Sequence, residues 1–336
     1  VRLMQERGGL IRDQDLQAYR AQLLPPLVGR FRGQTVLTMP PPSGGGVTLL
    51  QMLRVLEPLP LERDGLNSAA GLHTLVETMN LAYRDRNRSL GDPDHVAMPL
   101  ADLLSAEHAD ALRASINPRR HTPAAELDRQ QASGRGGSQT THLSVVDGRG
   151  GLASLTTTLN LAYGNGIAIP GTGVLLNNEM DDFAAAPGVA NSFGLVQGQA
   201  NAIAPGKRPL SSMTPTLVLN GEGQPLLALG SPGGSRIITA VLQVLLNRLV
   251  HGLNLAGAVA APRVHSQLWP DQITVEEGIS PDTTRLLEAM GHRLVPGTAQ
   301  GAVEAVEWRP ARPGEPAASF GVADPRRPEG AAVGTG

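Results

Sequence analysis

Gln139-Thr140-Thr141-His142-Leu143-Ser144-Val145-Val146-Asp147 is the stretch from which the rest of the chain can be read. Leu143 and Val145 alternate with Ser144 and Asp147, which predicts a half-buried strand starting at the two threonines. Asp147-Gly148-Arg149-Gly150-Gly151 breaks it with turn chemistry, and Leu152 to Asn160 reads as a second, threonine-rich strand. Folded as a hairpin about Arg149 and Gly150, the strands set Thr140 opposite Thr158 or Leu159, beside Asn160. Two hydroxyls and a carboxamide then meet at one strand end. A threonine preceded by a dispensable segment is what an N-terminal nucleophile requires: its hydroxyl attacks, and its own freed α-amine serves as general base. The reference pKa of such an amine, roughly 7.7–8.0, suits proton transfer near neutrality.

The chain has 336 residues, enough to bury a large core, and a net charge of −2. That charge argues against nucleic acid or an anionic membrane as the main partner. Short basic runs such as Arg84-Asp85-Arg86-Asn87-Arg88 and Pro325-Arg326-Arg327 are interrupted by acids or proline and read as solvated surface. There is no cysteine, which excludes thiol chemistry, disulfides and cysteine-based zinc sites. No apolar run approaches transmembrane length. The chain opens on Val1-Arg2-Leu3, so it is expected to be part of a longer protein, and the lack of a visible signal peptide decides nothing.

Along the chain, Asp13 is expected to cap a short helix. Leu27 to Met39 predicts two strands turning at Arg32-Gly33-Gln34. Pro40 to Gly46 is a rigid-then-flexible connector into an apolar helix from about Val47 to Leu56. It lacks the Gly-Lys-Ser/Thr ending of a phosphate loop and reads as a packing turn. Ser68 to Arg86 is the clearest helix, with Leu72, Leu75, Val76, Met79, Ala82 and Tyr83 on one face and charges opposite. Another helix lies near Ser105 to Ser115. Asn117 to Ser138 is polar and rich in proline and glycine, a tether whose end can leave the site if the chain is cut before Thr140. Pro187 to Lys207 is long and poor in pattern, with Phe193 near its middle, as in lids. Pro209 to Asn220 and Gln224 to Gly230 read as a strand pair, Ile237 to Val250 as a helix, and a last helix carrying Leu286, Leu287 and Met290 ends at Gly291.

Single residues say less. Thr158 is within reach of the Thr140 hydroxyl across the hairpin, but alone it is a β-former in a strand. Gly233 and Gly234 precede a helix, and N–H groups at such a turn favour developing negative charge. The Gly-x-Gly-x-x-Gly spacing of a dinucleotide loop is missing there. Glu179 and Asp182 taken alone suit helix capping or solvated charge, and the EF-hand spacing is not met. The histidines show no paired metal spacing; His142 points to the face opposite Thr141 and reads as structural. No Gly-x-Ser-x-Gly elbow occurs.

Four motifs in order are more specific. Gln139 to Asp147, Leu175-Leu176-Asn177-Asn178-Glu179-Met180-Asp181-Asp182-Phe183, Arg208-Pro209-Leu210-Ser211-Ser212-Met213 and Gly230-Ser231-Pro232-Gly233-Gly234-Ser235-Arg236 resemble the γ-glutamyltransferases, or glutathione hydrolases. The resemblance runs from the first residue to the last. It implies an α+β fold, the Ntn-hydrolase four-layer αββα sandwich. It implies self-cleavage between Gln139 and Thr140, so that residues 1–139 are the C-terminal part of a large subunit with a flexible tail. Residues 140–336 are then the small, catalytic subunit, and the two share one domain.

By the same resemblance Thr140 is the nucleophile, Thr158 its hydrogen-bond partner, and Gly233 and Gly234 the oxyanion hole. Asn160, Glu179 and Asp182 hold the substrate α-ammonium, and Ser211 and Ser212 contact its α-carboxylate. Phe193 stands where many relatives have a lid tyrosine and covers the site without donating a hydrogen bond. The arginine that pairs with that carboxylate lies in the family's earlier part, and no residue of this chain is expected to take its place. The implied reaction is γ-glutamyl transfer from glutathione or similar compounds to water, amino acids or dipeptides, with no metal or organic cofactor. The alternatives are an acylase for another group, such as a glutaryl-β-lactam, and a non-catalytic relative. A periplasmic or secreted location is expected.

Overall fold

Eleven strands occur among the residues that the computed structural model describes, which are 1–128, 140–186, 188–311 and 313–334. They are β1 (Leu27–Phe31), β2 (Gln34–Thr38), β3 (Thr141–Val146), β4 (Leu152–Thr157), β5 (Thr216–Leu219), β6 (Pro225–Gly230), β7 (Val264–His265), β8 (Ile273–Val275), β9 (Leu294–Pro296), β10 (Glu304–Arg309) and β11 (Ala318–Val322). Six form one antiparallel sheet in the order β1-β2-β5-β6-β10-β11. Its first hairpin turns at Arg32 and Gly33, with φ of 50° and 76°. Positive φ at both turn residues gives the twist that a two-residue hairpin needs.

One face of this sheet is apolar. Phe31, Val36, Val218, Leu227 and Leu229 meet Leu49 and Leu53 of the Gly45–Leu56 helix, Met79 and Tyr83 of the Ala69–Ser89 helix, and Val241 and Leu245 of the Arg236–Leu249 helix. All are at most 1% exposed. Burying each such side chain contributes about 1.5–3 kcal/mol, so this contact fixes the helical layer on the sheet. The Ala69–Ser89 helix starts where the Ser68 hydroxyl accepts from Gly71 N at 3.1 Å. Its buried face continues past Tyr83 to Asp85, Arg86 and Asn87, so the charges do not all lie opposite the apolar stripe.

The β3–β4 hairpin lies on the other face, against β6 and β10. Its strands alternate as expected, but with the sides exchanged. Leu143, Val145 and Leu155 point outward, 54%, 46% and 57% exposed, while His142 is buried against the six-stranded sheet. The seam between the sheets is polar. Ser144 Oγ donates to the Glu304 carbonyl at 3.0 Å, and Ser154 Oγ donates to the Leu229 carbonyl at 2.9 Å while accepting from Thr216 N at 3.1 Å. His142 lies over Gly230, where a Cβ would fall 2.2 Å from the ring. Burial pushes the His142 imidazole down to about 4, so a neutral ring sits 2.8 Å from the Thr156 hydroxyl. Period alone cannot say which side of a strand is buried: hydroxyls and a neutral imidazole with partners are as acceptable inside as leucines. Helices, sheet and hairpin are three successive layers of the Ntn-hydrolase sandwich. No described residue lays a helical cover over the hairpin's leucine-bearing face.

Nothing after Gly291 reads as strand in the sequence, yet β9, β10 and β11 lie there, and β7 and β8 were also unforeseen. In β10, Glu307 is buried between Arg248 and Arg309, each at 2.8 Å, next to buried Trp308. A buried acid beside a buried tryptophan hides the alternation. At the other end of the chain Arg12, not Asp13, occupies the cap position of the Asp13–Ala18 helix. The tether ahead of Thr140 is described only as far as residue 128, and the rest, Gln139 included, lies outside the described residues.

The C-terminal segment is pinned internally. Arg263 and Asp324 pair at 2.7 Å with both side chains fully buried, and Arg326 bridges Asp324 at 3.0 Å and Glu276 at 2.5 Å. One residue on, Arg327 donates to the Thr140 carbonyl at 3.1 Å.

Candidate active site

The register that pairs Thr141 with Thr157 sets Thr140 beside Thr158, just beyond the two strand ends. Thr140 Oγ1 donates to Thr158 Oγ1 at 3.2 Å, and Thr158 Oγ1 accepts from Asn160 N at 2.8 Å. Asn160 has φ of 71°, a left-handed conformation that asparagine tolerates better than most residues, and it folds its side chain back under the pair. Its Nδ2 donates to the Asn178 carbonyl at 3.1 Å, whereas its buried Oδ1 has no donor among the described residues.

Asp182 and Glu179 lie on the short 3₁₀ turn Glu179–Asp182 and are hydrogen-bonded to each other. Burial pushes the Glu179 carboxyl up, and burial together with the charge of Glu179 pushes Asp182 well up. Two carboxyls so placed titrate as a pair. Glu179 Oε1, like Asn160 Oδ1, is a buried acceptor without a donor among the described residues. The raised values make folding take up protons, so the stability they contribute is present below the ordinary carboxylate range. It is lost as pH rises through the raised values. Glu179→Gln removes the repulsion, and thermal melts of this variant from pH 4 to 8 should decline less with rising pH than those of the parent. An identical slope would show that the pair is not coupled.

Ser211 and Ser212 are set by the connector after β2, which the sequence suggested only as a packing turn. Gly44 N donates to the Ser211 carbonyl at 2.9 Å, and Ser211 N donates to the Pro42 carbonyl at 3.0 Å. A Cβ on Gly45 would fall 2.3 Å from Thr214 Oγ1, so glycine permits this close passage. Here the structure corrects the surface reading of the run from Arg84 to Arg88. Arg86, 1% exposed, donates through Nη2 to Ser212 Oγ at 2.8 Å, so an arginine of this chain does reach the serine pair. Its charge also favours the ionised form of Asp182. The signal was in the sequence: Arg86 follows Met79 by seven residues and Tyr83 by three, on the buried stripe.

Gly233 and Gly234 have φ of 144° and 57° and are buried at the entry to the Arg236–Leu249 helix. Neither N–H donates to another described residue. The Phe193 ring occupies the place of a Gly234 side chain, 2.3 Å from where a Cβ would stand. Phe193 is itself 6% exposed and closes the site from that side. Thr140, Thr158, Asn160, Asp182, Phe193, Ser211, Ser212 and Gly234 line one small cavity. Glu179 adjoins it through Asp182, and Gly233 through Gly234.

A second cluster went unread. His73, Glu77 and His292 present ligand atoms within 4.8 Å of one another, although no metal spacing was expected. His73 and Glu77 are one helical turn apart, and His292 arrives from far along the chain. His73 Nδ1 is 2.7 Å from His292 Nε2, and Glu77 is 2.6 Å from His121, which also contacts Asp271 at 2.9 Å. With its groups hydrogen-bonded to one another, it is a buried polar tie between the helix and the C-terminal part.

A hydroxyl on a fixed strand end, two buried N–H groups without acceptors among the described residues and an acid-lined cavity make a site suited to acyl transfer. The gamma-glutamyltranspeptidase family model matches residues 1–334, and the chain belongs to that family. It is similar to the glutathione hydrolase proenzyme of Escherichia coli, 45% identical over 323 residues, covering 96% of this chain and 55% of the relative. A mutant of the Helicobacter pylori gamma-glutamyltranspeptidase is 46% identical with a TM-score of 0.54, covering 56% of this chain and 100% of that one. The cephalosporin acylase from Bacillus halodurans is 25% identical with a TM-score of 0.81, covering 97% of this chain and 56% of that one. The chain spans little more than half the length of the curated relatives it matches.

Proposed function

We propose that the protein transfers γ-glutamyl groups from glutathione and related amides to water, amino acids or dipeptides, after cutting its own chain between Gln139 and Thr140. In the cut, Thr140 Oγ attacks the Gln139 carbonyl carbon, the amide becomes an ester, and water releases Thr140 as a new N-terminus. The large-subunit part is then 1–139 and the catalytic part 140–336. In transfer, Thr140 Oγ attacks the γ-carbonyl as its proton passes to the freed amine. The oxyanion faces the N–H groups of Gly233 and Gly234; the C–N bond breaks, and the departing amine takes the proton. Water or an acceptor amine then attacks the ester. No step calls for a metal or organic cofactor. A periplasmic or secreted location is part of this reading and rests on family resemblance alone.

The observation that carries the proposal is the pair of buried acceptors, Asn160 Oδ1 and Glu179 Oε1, beside two hydrogen-bonded carboxyls that burial pushes up. Acceptors without donors call for a ligand that is all donor, as an α-ammonium is. Arg86 behind Ser212 supplies positive charge on the opposite wall, where the α-carboxylate would lie. The acylase reading keeps support from the cephalosporin acylase likeness, but a glutaryl group has no ammonium to satisfy these acceptors. The two separate on paired anilides. γ-Glutamyl anilide should be turned over at least about 100-fold more efficiently than glutaryl anilide, since a site built for hydrogen bonds rejects the analogue lacking them. Equal or reversed efficiency would give the acylase reading the better case.

A further inference from the structure

We propose that the cleft on the far side of Phe193 binds the free carboxylate of the group joined to the γ-glutamyl moiety, with Arg236 as its anchor. That group is the departing peptide in the first half-reaction and the acceptor in the second. The inference rests on the γ-glutamyl reading above and extends it to the other half of the substrate.

The cleft has a volume of about 420 Å³ and shares Phe193 with the Thr140 cavity, so the ring is a partition between the two. Arg236 follows the Gly233-Gly234 turn by two residues and opens the helix behind it. Its Nε donates to Gln300 Oε1 at 2.8 Å, and its two terminal nitrogens have no acceptor among the described residues. Of the other sequestered arginines, Arg86 directs its terminal nitrogens to Asn87, Gln197, Ser211 and Ser212, and Arg263, Arg326 and Arg248 each meet a carboxylate. Arg236 has none. Its position makes this more costly, because a cation in the first turn opposes the helix dipole. Burial favours its neutral form, and the groups facing it do not compensate. Tyr83 is protonated, its hydroxyl donating to the Ser235 carbonyl, and His265 is held neutral at about 3. A half-buried guanidinium with no countercharge is a site for an anion from outside.

The rest of the wall narrows the class. Gln267, Gln272, Thr274 and Thr298 offer carboxamides and hydroxyls, and no acid is among the described residues that line the cleft. Such groups suit the amides of a short peptide, and the absence of acid leaves nothing to repel a carboxylate. The ligand is therefore an amino acid or dipeptide with a free C-terminus, not an arylamine or a polyamine.

The test compares γ-glutamyl-cysteinyl-glycine with its C-terminal amide. One charge-assisted hydrogen-bond pair corresponds to a preference for the acid of about 10- to 100-fold in KM. In Arg236→Met that ratio should fall to about one, and Arg236→Lys should recover part of it. A ratio unchanged in Arg236→Met, or no preference in the parent, overturns the proposal. Competition on the parent protein by glycylglycine against glycylglycinamide needs no variant, and equal inhibition by the two would also overturn it. If the parent turns over glutaryl anilide and neither γ-glutamyl compound, the underlying reading fails, and this one fails with it. The anilide comparison identifies that case separately.

Discussion

Replacing Thr140 with alanine is expected to leave one uncut chain and to slow γ-glutamyl anilide turnover by at least about 10⁴-fold, the scale set by loss of a catalytic nucleophile elsewhere. The neighbouring hydroxyl cannot stand in. Thr158 Oγ1 lies 3.2 Å from the lost oxygen and is tied to Asn160 N at 2.8 Å, so it is held away from the position where the acyl carbon must arrive. Intact mass and N-terminal sequencing read the first effect, and single-turnover kinetics read the second, on this chain and on the complete gene product. Thr140→Ser keeps a hydroxyl and should remain cut and measurably active. An alanine protein that still produces a residue-140 N-terminus would remove Thr140 from the cleavage step.

The second large effect concerns stability. Asp324→Ala is expected to destabilise the fold by about 3–5 kcal/mol, the usual result of leaving one member of a buried ion pair alone. Arg263 is fully buried, pairs with Asp324 at 2.7 Å, and already has an Nε without an acceptor among the described residues. Losing the carboxylate therefore strands a charge that has no route to water. Burial works against the Asp324 anion, but the charges of Arg263 and Arg326 together with the backbone N–H groups of Arg326 and Val303 outweigh it and hold the carboxyl below the ordinary range. The stability it contributes is present above that range and falls as the solution is made acid enough to protonate it. Denaturant melts at neutral pH measure the loss, and a change below about 1 kcal/mol would mean that water enters the pair. The same variant should be cut more slowly, because Asp324 anchors the segment from which Arg327 reaches the Thr140 carbonyl.

How legible all this is from the residues depends on what each one touches. The β3–β4 hairpin follows from turn chemistry at Gly148 to Gly151, and the Ala69–Ser89 helix from its apolar stripe, because both are local signals. The meeting of Thr140 with Thr158 follows from hairpin register alone. The inward side of the hairpin does not, since His142, Ser144 and Ser154 are buried by virtue of acceptors on β6 and β10, which lie far away in sequence. Arg86 was overlooked for the same reason: its partner Ser212 is brought up by the connector, and a lone arginine in a charged run resembles surface. Strand β10 escaped because Glu307 is an interior acid whose arginine partner Arg248 is on a helix. The cavity's apolar side, Met213 and Ile237, and the unpaired charge on Arg236 exist only once the layers are stacked.

The hydrogen bond from Arg327 to Thr140 joins residues 187 positions apart, and this bears on the order of synthesis. On a ribosome the threonine emerges long before the arginine that braces it, and β10, which flanks its hairpin, also follows late. A nascent chain that has passed Thr140 therefore lacks the brace until residue 327 has been made. Under the cut proposed before Thr140, the bond acts as a check on synthesis as far as residue 327: a residue made 187 positions later helps to hold the first residue of the new chain in place.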